Sequence, residues 1–186
     1  MLLLPRAVLA LSCAAILASS SIGAAQAAPS RVSPSQADVT TGSSTGKNGD
    51  NTASEREHKQ EQKRGAEIAA RALEYAGSPY RWGGSSPAGF DCSGFTMFIY
   101  GEFGVRLPRD LEGQLASGRR IDRDGLIPGD LLIFENTYRH GISHGGIYLG
   151  DGRFIHAADE RTGVVVSALE NTYWASRYYA ASRPGR

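Results

Sequence analysis

The chain has 186 residues, enough for one domain or for one domain with a tail. A formal net charge of +1 supplies no global field that would draw it to nucleic acid or to anionic lipid.

Met1-Leu2-Leu3-Leu4-Pro5-Arg6 opens the chain, an apolar run follows from Ala7 to about Ala18, and Ala25-Gln26-Ala27 closes the segment. A charged start, a short apolar centre and an Ala-x-Ala site read as a secretory signal peptide over residues 1–27. The apolar run falls short of the roughly 20 residues a membrane span needs, so no transmembrane anchor is expected after cleavage. Leu11-Ser12-Cys13 is a poor lipobox, its leucine one place too close to the cysteine, and lipoprotein attachment through Cys13 is the minor alternative. Export to the periplasm, or to the cell wall and beyond, is the expected destination.

Residues 28–61 read as a flexible Ser/Thr/Gly-rich tether. From Ala28 to Thr52 there is too little apolar surface to offset the entropy of ordering, although Glu55 to Arg64 suits a solvated helix. The domain is placed at residues 62–186. Its first helix carries Ile68, Ala69, Ala72, Leu73 and Ala76 at helical spacing and is expected to stop at Gly77, ahead of Pro79. Tyr80 to Phe90 is rich in Gly, Ser and Pro and reads as a loop. It leads into Asp91-Cys92-Ser93-Gly94, where Asp91 is a good N-cap and Phe95, Phe98, Ile99 and Phe103 mark one buried helical face ending at Gly104.

A short helix is expected from Leu111 to Ser117, after Leu107-Pro108-Arg109-Asp110. Beyond Gly129 the period changes. Asp130–Phe134, His144–Leu149, Arg153–Ala157, Val164–Val166 and Tyr178–Ala180 are short β-rich runs split by Gly, Asp and Asn. Strands this close together pair as antiparallel hairpins. The fold class is therefore α+β, with N-terminal helices packed on a five- to six-stranded antiparallel sheet.

After signal cleavage Cys92 is the one cysteine left, in a compartment where cysteines are normally paired. It sits in a first helical turn, where unpaired N–H groups and the helix dipole favour thiolate and are expected to lower its pKa from about 8.5. A nucleophilic cysteine needs a base and a group to orient that base. His140 lies in the solvated loop from Asn136 to Gly141. His144 and His156 flank Leu149-Gly150-Asp151-Gly152-Arg153. A three-residue Gly-Asp-Gly loop would set Gly146 opposite His156 and make the two imidazoles diagonal neighbours on one face, whereas a two-residue loop would separate them. One Cys and two His are also plausible zinc ligands, but no two of them stand at the short spacings that usually build such sites, so no metal and no cofactor are expected.

Pro79-Tyr80-Arg81-Trp82-Gly83-Gly84, Phe90-Asp91-Cys92-Ser93-Gly94-Phe95, Leu107-Pro108-Arg109, Pro128-Gly129-Asp130-Leu131, His144 to Gly150 and Phe154-Ile155-His156-Ala157 together resemble the NlpC family of bacterial cell-wall cysteine peptidases. The resemblance covers nearly all of Ala66 to Ser182. It implies a papain-like fold and hydrolysis of amide bonds in peptidoglycan stem peptides, most often between D-glutamate and a diamino acid, sometimes in a cross-link. It also implies Cys92 as nucleophile, His144 as base, His156 as the residue orienting it, and Tyr80 as a hydroxyl beside the nucleophile. Asp91, Ser93 and Arg109 match positions lining the substrate groove. Asp110 and Leu111 follow Arg109 where the family often has Ser or Thr, which touches substrate detail. The partners expected are stem peptides, with no nucleic acid, and a monomer. A non-catalytic wall-binding scaffold, or an amidase or acyltransferase on the same fold, are the alternatives.

Overall fold

The computed structural model describes residues 48–185. The expected signal peptide, Cys13 and the expected tether up to residue 47 lie outside the described residues.

The first helix, α1 (Asn48–Leu73), runs unbroken through the boundary expected near residue 62, so residues 48–61 are helical rather than tether. Two causes act together. Glu55 to Arg64 is built almost wholly of strong helix formers. Glu61 is also anchored to the body of the domain by Arg119, 3.1 Å away, and Arg183, 3.0 Å away. The helix stops at Leu73, short of Gly77, because its last turn tightens: Glu74, Tyr75 and Ala76 each donate three residues back. The chain is then free to hand the Gly77 N–H to the Val164 carbonyl on the sheet.

Within the expected loop lies a small antiparallel hairpin, β1 (Ser85–Ser86) with β2 (Gly89–Phe90), whose composition gave no strand signal. It delivers the chain to α2 (Cys92–Glu102). Asp91 caps that helix by accepting the Gly94 N–H at 2.8 Å. The far end closes as foreseen, with Gly104 at φ 76° and the Val105 N–H reaching the Tyr100 carbonyl. Next comes α3 (Leu111–Ala116), capped by Asp110 through the Gly113 N–H at 2.7 Å. The residue that departs from the family pattern therefore has a local structural use. Buried Gln114 ties α3 to α2, accepting from Thr96 Oγ1 and donating to the carbonyls of Ser93 and Pro108.

A six-stranded antiparallel sheet follows: β3 (Gly118–Ile121), β4 (Leu131–Glu135), β5 (Ile142–Gly150), β6 (Arg153–Ala157), β7 (Val164–Ala168) and β8 (Tyr178–Pro184), in the order β3-β8-β4-β5-β6-β7. Strand β3 was not legible, since Gly-Arg-Arg-Ile lacks both alternation and a β-rich run. Both faces of the sheet are covered. Leu131, Ile133, Ile147 and Ile155 pack with Phe95 and Ile99 of α2, while Leu132, Phe134 and Phe154 pack on the other side with Trp174 of the short helix α4 (Thr172–Ala175). That is why β4 reads as a continuous apolar run instead of an alternating one.

The corner where α1 meets the sheet is held by Arg183. It donates to Asp130 from Nε (2.7 Å) and Nη2 (2.9 Å), and to Glu61 from Nη1 (3.0 Å). Asp130 is 1% exposed, so removing its partner leaves a buried carboxylate uncompensated. Arg183→Ala is expected to lower the free energy of unfolding by about 3 kcal/mol, measured by urea denaturation. A loss below about 0.5 kcal/mol, typical of a surface ion pair, would show that the corner does not depend on this clamp.

Candidate active site

Cys92 begins α2 and is buried. Asp91, Cys92, Ser93, Tyr80 and Arg109, five of the residues singled out in the sequence, line one groove of about 350 Å³. Asp110 and Leu111, the residues that depart from the family pattern, also line it, and Trp82, Glu112, Tyr138 and Arg139 complete its walls. Tyr138, from the β4–β5 loop, meets Trp82 edge to face at 5.5 Å, and Arg139 pairs with Glu112 at 3.9 Å. That loop thus forms one bank of the groove. Its only sequence signal was an aromatic residue and an arginine in a solvated turn.

The first turn of α2 fits so closely under the preceding loop that a Cβ on Gly94 would stand 1.9 Å from the Gly84 carbonyl oxygen. Glycine is required there. Asp91 reinforces the junction by accepting the Gly83 N–H at 2.8 Å as well as that of Gly94. Arg109 bonds to Asp91 Oδ2 and to Ser93 Oγ, so its two terminal nitrogens are already engaged. Arg109 thus braces the Asp91 cap, and the three residues form one polar cluster on the groove wall.

His144 on β5 and His156 on β6 stand on the same face of the sheet, with His144 Nε2 2.8 Å from His156 Nδ1. The route to this register differs from the expected loop. Gly150 pairs with Arg153, leaving the two-residue turn Asp151-Gly152, with φ of 51° and 66°. Such a turn would put the rings on opposite faces, but an irregularity at Leu149 restores Tyr148 opposite Phe154 and Ile147 opposite Ile155. The chain gains a residue in a bulge where it was expected to gain one in the loop. The imidazoles end on the same face either way.

Trp174 closes over the pair, with ring centroids 5.2 Å from His144 and 4.8 Å from His156, and Phe154 stacks on His156 at 4.7 Å. Trp174 was missed, because it lies outside the strands, on a four-residue helix. So was Ser167 of β7, whose Oγ is 3.0 Å from His156 Nε2. His140 lies exposed in its loop, away from this arrangement.

Burial dominates the electrostatics. It pushes the Cys92 thiol up to about 11, with the Asp91 carboxylate acting in the same direction. The backbone N–H groups of Ser93 and Gly145 and the Arg109 charge pull the other way and lose. The lowered thiol pKa expected from the helix start is therefore not found. Burial also holds His144 down to about 4, and His156 well below the ordinary histidine value, with His144 adding to the shift. Tyr80 is raised to about 12 by burial and by the charges of Cys92 and Asp91, so its hydroxyl stays protonated. Burial thus works against charge on both the thiol and the imidazole. Among the described residues no hydrogen bond joins Cys92 to His144, and none is made by His144 Nδ1. Among the described residues no three His, Cys, Asp or Glu side chains converge as a metal site.

The NlpC/P60 family model matches residues 77–183. Gamma-DL-glutamyl hydrolase of Bacillus subtilis (strain 168) is 44% identical over 112 residues, which are 59% of this chain and 27% of that protein. Probable endopeptidase NlpC of Escherichia coli (strain K12) is 41% identical over 108 residues, 58% of this chain and 70% of that protein. The NlpC/p60 domain of the peptidoglycan hydrolase SagA, a crystal structure, is similar at a TM-score of 0.56 and 37% identity, over 63% of this chain and 97% of that one. The chain spans about a quarter of the length of the Bacillus relative. It belongs to the NlpC/P60 family.

Neutral burial of the histidines has a consequence for stability. A histidine whose folded pKa lies below its unfolded value of about 6.5 stabilises the fold above pH 6.5, and that contribution disappears as the pH falls through the folded value. For His144 the window runs from about 6.5 down to about 4, and the contribution is roughly 3 kcal/mol. Urea unfolding of the chain is expected to show falling stability between pH 7 and pH 4.5, with a shallower fall in His144→Gln. Equal pH dependence in both proteins would contradict a buried neutral imidazole.

Proposed function

We propose that this chain is an exported peptidoglycan endopeptidase that cleaves a stem-peptide amide bond through a thioester on Cys92. One observation carries the reading: the 2.8 Å hydrogen bond between His144 and His156, on the strand whose Gly145 N–H acts on the Cys92 sulfur. A scaffold has no use for an imidazole pair ordered in this way beside an unpaired thiol.

Because thiol and imidazole both rest neutral, the proton leaves sulfur as the sulfur attacks, rather than beforehand. His144 Nδ1, which has no other partner among the described residues, receives it. His156 accepts from Nε2 of the imidazolium and keeps it aligned. The oxyanion is met by the Cys92 N–H, in a helical turn that has no intrahelical acceptor for it, and by the Tyr80 hydroxyl. Tyr80 makes no hydrogen bond among the described residues and remains a donor up to about pH 12. The imidazolium then protonates the leaving amine, and water hydrolyses the thioester with His144 again as base.

The bond we assign is the one between D-glutamate and the diamino acid. The Bacillus relative is named for a γ-glutamyl bond, which favours this choice. The cluster of Asp91, Ser93 and Arg109 on the groove wall suits the charged groups of a short peptide. Export rests on the signal-peptide pattern of residues 1–27.

Digestion of defined muropeptides, read by mass spectrometry, tests the assignment. Cys92→Ala and His144→Ala are expected to abolish hydrolysis with circular dichroism unchanged, and Tyr80→Phe to lower kcat about 100-fold. Hydrolysis at the parental rate by Cys92→Ala would exclude the thioester route. Products cut at the sugar–peptide junction would exclude the endopeptidase in favour of an amidase.

A further inference from the structure

The histidine relay does not end at His156. Its Nε2 lies 3.0 Å from Ser167 Oγ, on the edge strand β7, so three side chains on three adjacent strands form one line: His144, His156, Ser167. We infer that Ser167 is a positioning residue that holds both imidazoles in the tautomer the reaction needs, by accepting the His156 Nε2 proton.

The reasoning follows the protons along the line, and it rests on His144 being the base. To take a proton at Nδ1, His144 must carry its own on Nε2. That N–H donates to His156 Nδ1, which must then be bare, so His156 carries its proton on Nε2. The acceptor within reach of that N–H among the described residues is the Ser167 hydroxyl. The reverse arrangement has Ser167 donating to His156 Nε2. It would switch both rings to the other tautomer and put a proton on His144 Nδ1, leaving a buried N–H with no hydrogen-bond partner among the described residues and offering no lone pair to the thiol.

Ser167 can act as the acceptor because it is half-buried on the outermost strand, where its own hydroxyl proton can turn to water. When His144 becomes imidazolium, its two N–H groups admit one direction of donation along the line, and a rotatable hydroxyl at the far end accommodates it. No carboxylate takes that place: among the described residues the His156 ring is hydrogen-bonded to His144 and Ser167 alone.

The test combines a readout that needs no substrate with one that does. In the full chain carrying Cys92→Ala, nitrogen-15 NMR of the imidazoles should show both rings protonated at Nε2. Adding Ser167→Ala should mix the tautomers or release the His156 Nε2 proton to rapid exchange, and Ser167→Thr, which keeps the oxygen, should preserve the parental spectrum. With Cys92 restored, Ser167→Ala should lower kcat on muropeptides roughly three- to tenfold with KM unchanged, as expected for loss of one neutral hydrogen bond, and Ser167→Thr should stay within twofold of the parent. Parental tautomers in Ser167→Ala would overturn the inference, as would an equal loss of kcat in the Ala and Thr variants. A parental chain that turns over no muropeptide would sink the proposed function, while the NMR comparison would still decide the role of Ser167.

Discussion

Desolvation at the junction of α2 and β5 sets the chemistry of this protein. A helix start favours thiolate, but a dipole is worth about 0.3–1 kcal/mol, less than one pKa unit. Burial moves Cys92 from 9.0 to about 11, a shift of order 3 kcal/mol, and so the larger effect decides. The same desolvation takes His144 from 6.5 to about 4. In both groups burial disfavours the charged form. A thiol kept in this state resists adventitious oxidants, since it is the thiolate that they attack.

That environment is a product of the whole fold. The α2 turn can lie under the hairpin loop because Gly94 has no side chain, and Asp91, braced by Arg109, fixes the turn from outside. Gln114 spans from α3 to both Ser93 and Thr96, so the helix that carries the nucleophile is pinned along one side by buried hydrogen bonds. Phe134, Phe154 and Trp174 pack around the imidazoles, which are almost wholly buried. Cys92 on a helix and His144 on a central strand both stand on rigid elements, and the β4–β5 loop is left to shape the groove.

Much of this was legible in the sequence, for identifiable reasons. Phe95, Phe98 and Ile99 gave α2 its period, Asp91 and Gly104 gave its ends, and β-rich runs gave five of the six long-sheet strands. The pairing of His144 with His156 was legible even though the hairpin closure was not, because a bulge and a longer loop have the same effect on which way the side chains face. What escaped was set by distance in space. Ser167 joins the relay through the β6–β7 register, fixed by a connection from residue 158 to 163 whose geometry no local pattern specifies. Burial of Cys92 escaped for the same reason: a helix start advertises its dipole in sequence, but not the strand that will cover it. A helix over Glu55 to Arg64 was legible from its helix formers, but residues 48–54, mostly poor helix formers, gave no sign of extending it back to Asn48.

The most direct measurement is the rate at which iodoacetamide alkylates Cys92 in the full chain as a function of pH, read on the Cys92 peptide by mass spectrometry. For a thiol held neutral by burial, the rate at pH 7 should lie below that of a model cysteine peptide and climb without a plateau to at least pH 10. Rapid alkylation that levels off below pH 7 would reveal a stored thiolate–imidazolium pair and contradict the neutral resting state.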